Sequence, residues 1–163
     1  KIYFSEFMNM GISTTPFNAW LMIRRLRTHN MRLEKITANT NQVLTFLKNH
    51  ERVEEIIFPF DKDFPQYDLA KKQMRGACGL FSFYIKAAAI KEIEHFCEGL
   101  KHILIAVSWG GSELLIIPGC ASIKPEEFDP NNKDHLIIRI FVGLEEPEYI
   151  IEDLERGFKA MKE

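Results

Sequence analysis

What this sequence lacks is the first guide to it. Its 163 residues hold only three cysteines, Cys78, Cys97 and Cys120. The number is odd and the spacing wide, with no Cys-x-x-Cys pair and no His-x-x-x-His nearby. That argues against a disulfide framework or a compact zinc site and for reduced thiols in a cytoplasmic protein. The five histidines are scattered, so no metal site is legible. Neither sign of charge dominates: 21 Lys and Arg face 23 Asp and Glu, a net charge of −2. Nothing in that balance favours nucleic acid or an anionic membrane as a partner. No apolar run approaches the roughly 18–20 residues of a transmembrane helix. The opening Lys1-Ile-Tyr-Phe-Ser-Glu is too short for a signal peptide and is broken by a charge. There is no initiator methionine, and we expect a piece of a longer protein. Dinucleotide and nucleotide phosphate loops, the Gly-x-Ser-x-Gly nucleophile turn and His-Glu-x-x-His are all missing.

What is present describes a folded domain. The hydrophobic share is 46% and the charged share 27%, ordinary for a globular chain. A chain of this length can bury about 70% of its unfolded surface. Thr15 followed by Pro16 reads as a helix start, with Phe17, Trp20, Leu21 and Ile23 as its apolar side. The cations of residues 24–32 read as a solvated face or a link between helices. Leu33, Ile36, Thr40, Val43, Leu44 and Leu47 fall at steps of three and four, a long amphipathic helix over 31–49. Strands are expected at 53–58, 79–85, 103–107 and 113–117. Short helices are expected at 66–74 and 90–100. Residues 119–135 read as a loop of 17 residues, long enough to suggest a functional or mobile segment. Pro147 opens a last helix whose stripe is Ile150, Ile151, Leu154, Phe158 and Met161. The expected fold is α+β: a mostly antiparallel sheet of four to five strands with helices packed against it, read as a single domain over 1–163.

The chemistry concentrates in two stretches. Residues 136–145 form an apolar strand with an arginine at its centre, and strands apolar on both sides are usually interior. On a period of two, Arg139 shares a face with Ile137 and Phe141, while Ile138, Ile140 and Val142 point the other way. Arginine is rarely buried unpaired, so an anion must meet it. That anion is either an internal carboxylate, with Glu113 a candidate, or a carboxylate or phosphate on a ligand. The second stretch is Ser108-Trp109-Gly110-Gly111. Paired glycines permit a tight turn or a close backbone approach to a ligand, and a serine there can hydrogen-bond an anion. A plain hairpin turn is the other reading.

Together these stretches resemble a known family. Ser108-Trp-Gly-Gly-x-Glu113-x-Leu115 is followed by Leu136-Ile-Ile-Arg139-x-x-Val-Gly143-Leu-Glu145-x-Pro, then Ile-Ile-x-Asp153-Leu154. This order is similar to the C-terminal domain of the trans-sulfuration (Cys/Met metabolism) enzymes, which depend on pyridoxal phosphate. Thr15-Pro16-Phe17-Asn18-Ala19-Trp20-Leu21, Arg24-x-Leu26-Arg27-Thr28-x-x-x-Arg32, residues 49–59, and 70–74 with 79–83 agree in order. The resemblance implies the C-terminal domain of a fold-type I enzyme acting on the C–S bond of cystathionine-, cysteine- or methionine-like amino acids. It implies that Arg139 grips the substrate α-carboxylate, with Ser108 beside it and Trp109 shaping the pocket. Trp109 resembles the residue of cystathionine β-lyases in particular. It also implies a homo-oligomer, a tetramer built from dimers, when full length. Arg25 and Leu114 depart from the family pattern, and the Thr-His that many members carry after the Pro118 position is absent. No segment resembles the family's cofactor-binding lysine, phosphate loop, ring-stacking tyrosine or aspartate. The expected cofactor therefore belongs to the full-length enzyme, with no catalytic residue in this chain and none of the cofactor bound by it. The competing reading is a stand-alone α+β binding module in which Arg139 sits in an internal salt bridge.

Overall fold

Alternation along one strand sets the layering. In β2 (Leu80–Ile85) Phe81, Phe83 and Ile85 are buried, while Leu80, Ser82 and Tyr84 between them are half-exposed. Period-two alternation of this kind places one strand face on a core and leaves the other open. The computed structural model describes residues 14–162. The opening hexapeptide and Ser13 lie outside the described residues.

The chain divides into two compact units, residues 1–34 and 35–163. In the first, α1 (Pro16–Leu26) starts where expected, with Asn18 N–H donating to the Thr15 hydroxyl at 3.2 Å. None of the residues of α1 is buried; of the apolar side read from Phe17, Trp20, Leu21 and Ile23, Leu21 is half-buried and the others are exposed. The cation-rich stretch joins two helices and is exposed over residues 24–31, in keeping with both of its readings. α1 stops at Leu26 and α2 (His29–Lys48) begins three residues later. Arg32 folds back to donate to the Arg25 carbonyl at 3.0 Å, which also accepts the Thr28 N–H at 3.3 Å.

In the second unit, Ile36, Asn39, Thr40, Val43, Leu44 and Leu47 of α2 are buried. β1 (Val53–Ile57) follows, then the short α3 (Tyr67–Gln73), β2 and α4 (Ile90–Gly99). β3 is only Leu104–Ile105, and β4 is Leu115–Pro118. The stretch read as a long loop is built from two 3-10 turns, Gly119–Ser122 and Pro125–Glu127, and the four-residue helix α5 (Lys133–Leu136). β5 (Ile137–Phe141) and α6 (Pro147–Ala160) complete the chain. The sheet order is β1-β2-β5-β4-β3, antiparallel except for the β3–β4 pair.

The main core lies on the face carrying Phe81, Phe83, Ile138, Ile140 and Val142, against α2, α4 and α6. Phe158 is its hub, stacked on His50 at 3.9 Å and against Phe96 at 4.9 Å. Burying a side chain of this size contributes about 1.5–3 kcal/mol. A smaller cluster of Ile36, Leu115 and Phe141 occupies one end of the opposite face.

Candidate functional site

Arg139 sits in the middle strand of five, directly between Ser82 of β2 and Ile117 of β4. The strand is interior by order, but only one of its faces is dry. Ile138 and Ile140 are fully buried, whereas Ile137 and Arg139 are half-exposed. The expectation of a strand covered on both sides is therefore corrected. The helices pack on the other face; on the Arg139 side Phe141 meets Leu115 at one end and Lys133 lies over the Tyr84 ring at the other.

Arg139 extends over β4 to donate from Nη2 to the carbonyl of Val107 at 2.5 Å. Among the described residues it forms no ion pair. Glu113, the internal partner considered above, is used otherwise: it accepts from the Ser112 N–H at 3.1 Å. Half-exposure explains how a guanidinium can do without an anion here, because water still reaches it and the desolvation cost stays small. Of its five N–H donors, one direction is taken by Val107, and the fork that matches a carboxylate is engaged by no acid.

Val107 immediately precedes Ser108 and Trp109, so the Arg139 contact ties the two sequence stretches together. Ser108 is exposed, and Trp109 is 60% exposed. The segment is not a hairpin. Leu104 pairs with Leu115 and Ile105 with Ile116 in parallel, so the chain must leave β3, reverse and return to begin β4 alongside it. Gly110, at φ +83°, takes part of that reversal in a conformation open to glycine at no steric cost. A turn motif read locally suggests the shortest connection, and the register of strands outside the motif overrides it.

Three further residues support this region. Asp153 of α6 is fully buried. Its carboxylate accepts the backbone N–H groups of Lys101, His102 and Ile103, each at 2.9 Å, and pairs with Arg156. Burial pushes its carboxyl upward, but the three N–H groups and Arg156 together hold it below the usual carboxylate range. It thus anchors the segment that enters β3 and leads to Val107. Asn39 is buried on α2 and Glu145 follows β5. For Asn39 and Asp153 a signal existed: each is a polar residue at a position where the helical stripe calls for an apolar one.

Strands β2, β4 and β5 and residues 106–114 contain no lysine. The face around Arg139 therefore suits an anion; Lys133, whose amine lies over the Tyr84 ring, is paired with Glu55. No helix among the described residues is long and apolar enough to cross a membrane. Among the described residues, no group of three or more metal-ligating side chains is assembled.

Comparison with known proteins gives concordant results. The family model for Cys/Met metabolism PLP-dependent enzymes matches residues 2–159. Cystathionine gamma-lyase of Mus musculus is 36% identical over 156 residues, covering 93% of this chain and 39% of its own length. L-methionine gamma-lyase of Treponema denticola is 37% identical over 155 residues, covering 93% of this chain and 38% of its own. Among solved structures, cystathionine gamma synthase from Xanthomonas oryzae pv. oryzae in complex with aminoacrylate and cysteine superposes with a TM-score of 0.81. It is 27% identical and covers 94% of this chain and 41% of that one. The chain thus spans about two fifths of the length of these relatives.

Proposed function

Because the chain belongs to the Cys/Met metabolism PLP-dependent enzyme family, we propose that it is the C-terminal, substrate-carboxylate-binding part of a larger enzyme. That enzyme cleaves or exchanges the C–S bond of a cystathionine-, cysteine- or methionine-like amino acid. Arg139 grips the α-carboxylate, Ser108 donates a hydrogen bond beside it, and Trp109 walls the pocket. The observation that carries this reading is the guanidinium of Arg139, half-exposed on an open sheet face and bonded to a carbonyl, with no acid paired to it among the described residues. An internal salt bridge, the competing explanation, has no partner there. The share of the relatives' length that the chain covers supports a part rather than a whole enzyme. The whole enzyme is a homo-oligomer in the cytoplasm.

Pyridoxal phosphate, bound by the remainder of the enzyme, supplies the electron sink for the C–S chemistry. The residues of this chain bind and orient. Held through its carboxylate by a planar, always charged fork, the amino acid has its α-carbon placed and its rotation stopped. Such positioning accounts for a large share of a rate enhancement. This chain alone binds no cofactor and turns over no substrate.

The test is Arg139→Ala, with Arg139→Lys as its companion. In this chain Arg139→Ala leaves stability within about 1 kcal/mol of wild type, since it removes one exposed hydrogen bond. In the complete enzyme it weakens binding of the amino-acid substrate by about 2 kcal/mol or more, a factor of about 30. Arg139→Lys keeps the charge but loses the bidentate fork and falls between. A loss of 3–5 kcal/mol in the isolated chain, the cost of breaking a buried ion pair, would overturn the proposal.

A further inference from the structure

Glu145, just beyond β5, has an oxygen without a partner. Its Oε1 accepts the backbone N–H of Leu114 at 3.0 Å. Its Oε2 is buried and meets no donor, although buried polar atoms almost always have one. The chain around it is tied down closely. Leu144 N–H donates to the Ser112 carbonyl at 3.1 Å. From α2, Asn39 Nδ2 donates to the carbonyls of Gly143 at 3.2 Å and Glu145 at 2.7 Å. Gly143 makes the approach possible. A Cβ added there would stand 2.3 Å from both Glu145 Oε2 and the Ser112 carbonyl oxygen, and 2.9 Å from the carbonyl carbon of Glu113.

Residues 112–114 are therefore seated on a corner formed by residues 143–145, and that corner hangs on α2 through Asn39. The loop preceding them has little else to hold it. Residues 107–113 are exposed from end to end, and burial resumes only at Leu114. We propose that Glu145 is the positioning residue of this loop: through Leu114 it sets where Ser108 and Trp109 stand relative to Arg139. The proposal deepens the carboxylate-binding reading and takes that reading as its functional premise.

The orphan oxygen sharpens the test. Glu145 Oε2 and the Ser112 carbonyl oxygen both border the space that a Cβ on Gly143 would fill; the carbonyl accepts the Leu144 N–H, whereas Oε2 has no donor. Glu145→Gln would keep Oε1 for Leu114 and place an amide where the unpartnered Oε2 now stands, removing a buried acceptor that has no donor. The amide therefore serves at least as well as the acid, whereas Glu145→Ala removes the Leu114 contact.

The experiment uses the 163-residue chain carrying Trp20→Phe, so that fluorescence reports Trp109 alone. Exchange of the Leu114 amide is read by NMR together with Trp109 anisotropy. Glu145→Ala should speed Leu114 exchange about tenfold or more and lower the anisotropy, while exchange at the core amide of Phe83 changes much less. Glu145→Gln should match or exceed wild-type protection. If Glu145→Ala also speeds Phe83 equally, the Glu145→Gln variant decides. Protection at Leu114 equal to wild type supports the proposal, and loss of it overturns it, as does a Glu145→Ala variant with unchanged Leu114 exchange. In the complete enzyme, Glu145→Ala should raise KM for the amino acid more than it lowers kcat, with Glu145→Gln restoring it. A freed loop with unaltered KM would overturn the carboxylate-binding role of the loop while leaving its positioning by Glu145 standing.

Discussion

Asp153→Ala is the perturbation whose magnitude the structure sets most directly. The substitution strips the acceptor from three backbone N–H groups. Lys101 and His102 are exposed residues, so water can take over at their amides, at a net loss of about 0.5–1.5 kcal/mol each. Ile103 is 5% exposed, and leaving its N–H unpaired costs about 1–3 kcal/mol. The partly exposed Arg156 adds at most about 1 kcal/mol. A loss of about 2–7 kcal/mol results, which for a chain of this size lowers the melting temperature by about 4–28 °C. Asp153→Asn keeps one oxygen and should lose roughly half as much. Thermal denaturation followed by circular dichroism measures both. The pH dependence provides an internal control. The carboxyl of Asp153 is held below its ordinary value, so its native pKa lies under the unfolded value of about 3.9. Its stabilisation is complete above that value and disappears as the pH falls through the native pKa. The gap between wild type and Asp153→Asn should stay constant from neutrality to about pH 4 and then close. A melting temperature of Asp153→Ala within about 2 °C of wild type would refute the reasoning, as would a gap that widens in acid.

Two further outcomes follow from other titratable groups that are partly or fully buried. Burial on Phe158 lowers the pKa of His50 against the pull of Glu155, while its Nδ1 accepts the Arg52 N–H. The unfolded imidazole therefore takes up its proton first. Stability should be full above about pH 6.5 and decline as pH falls toward the native value. Urea midpoints between pH 5 and 8 should show that slope in wild type and lose it in His50→Phe. Burial pushes the Cys97 thiol up to about 11, with Cys120, Glu98 and Glu94 adding to it, and burial also raises Cys78 and Cys120. At pH 8 an aromatic disulfide reagent should label the native chain slowly at all three and rapidly once urea unfolds it. Fast native labelling of Cys97 would contradict this.

Legibility differed from element to element. The stripe of α2 and the alternation of β2 were visible because period and burial are local properties of a short stretch. The same local rule misled at α1, where an apolar side exists and nothing of it is buried. It misled again at Ser108–Gly111, where a glycine pair suggested a hairpin and the strands on either side run parallel. Residues 119–135 looked structureless because 3-10 turns and a four-residue helix are too short to show a period. Arg139 stood out correctly as an anomaly. Its contact could not be read, because Val107 lies 32 residues away and offers a backbone carbonyl, which no residue type announces.

The sequence alone determined the α+β class, the order of the main elements, the inward faces of α2, α4, α6 and β2 and membership of a family recognisable from ordered motifs. Tertiary structure decided which face of β5 stays open, that Arg139 meets a carbonyl rather than an acid, and that Asn39, Asp153 and Glu145 hold the loops beside it. The reason is range. Periodicity acts over a few residues, whereas these polar contacts join groups 31 to 106 positions apart, and only the folded sheet and helices bring them within hydrogen-bonding distance.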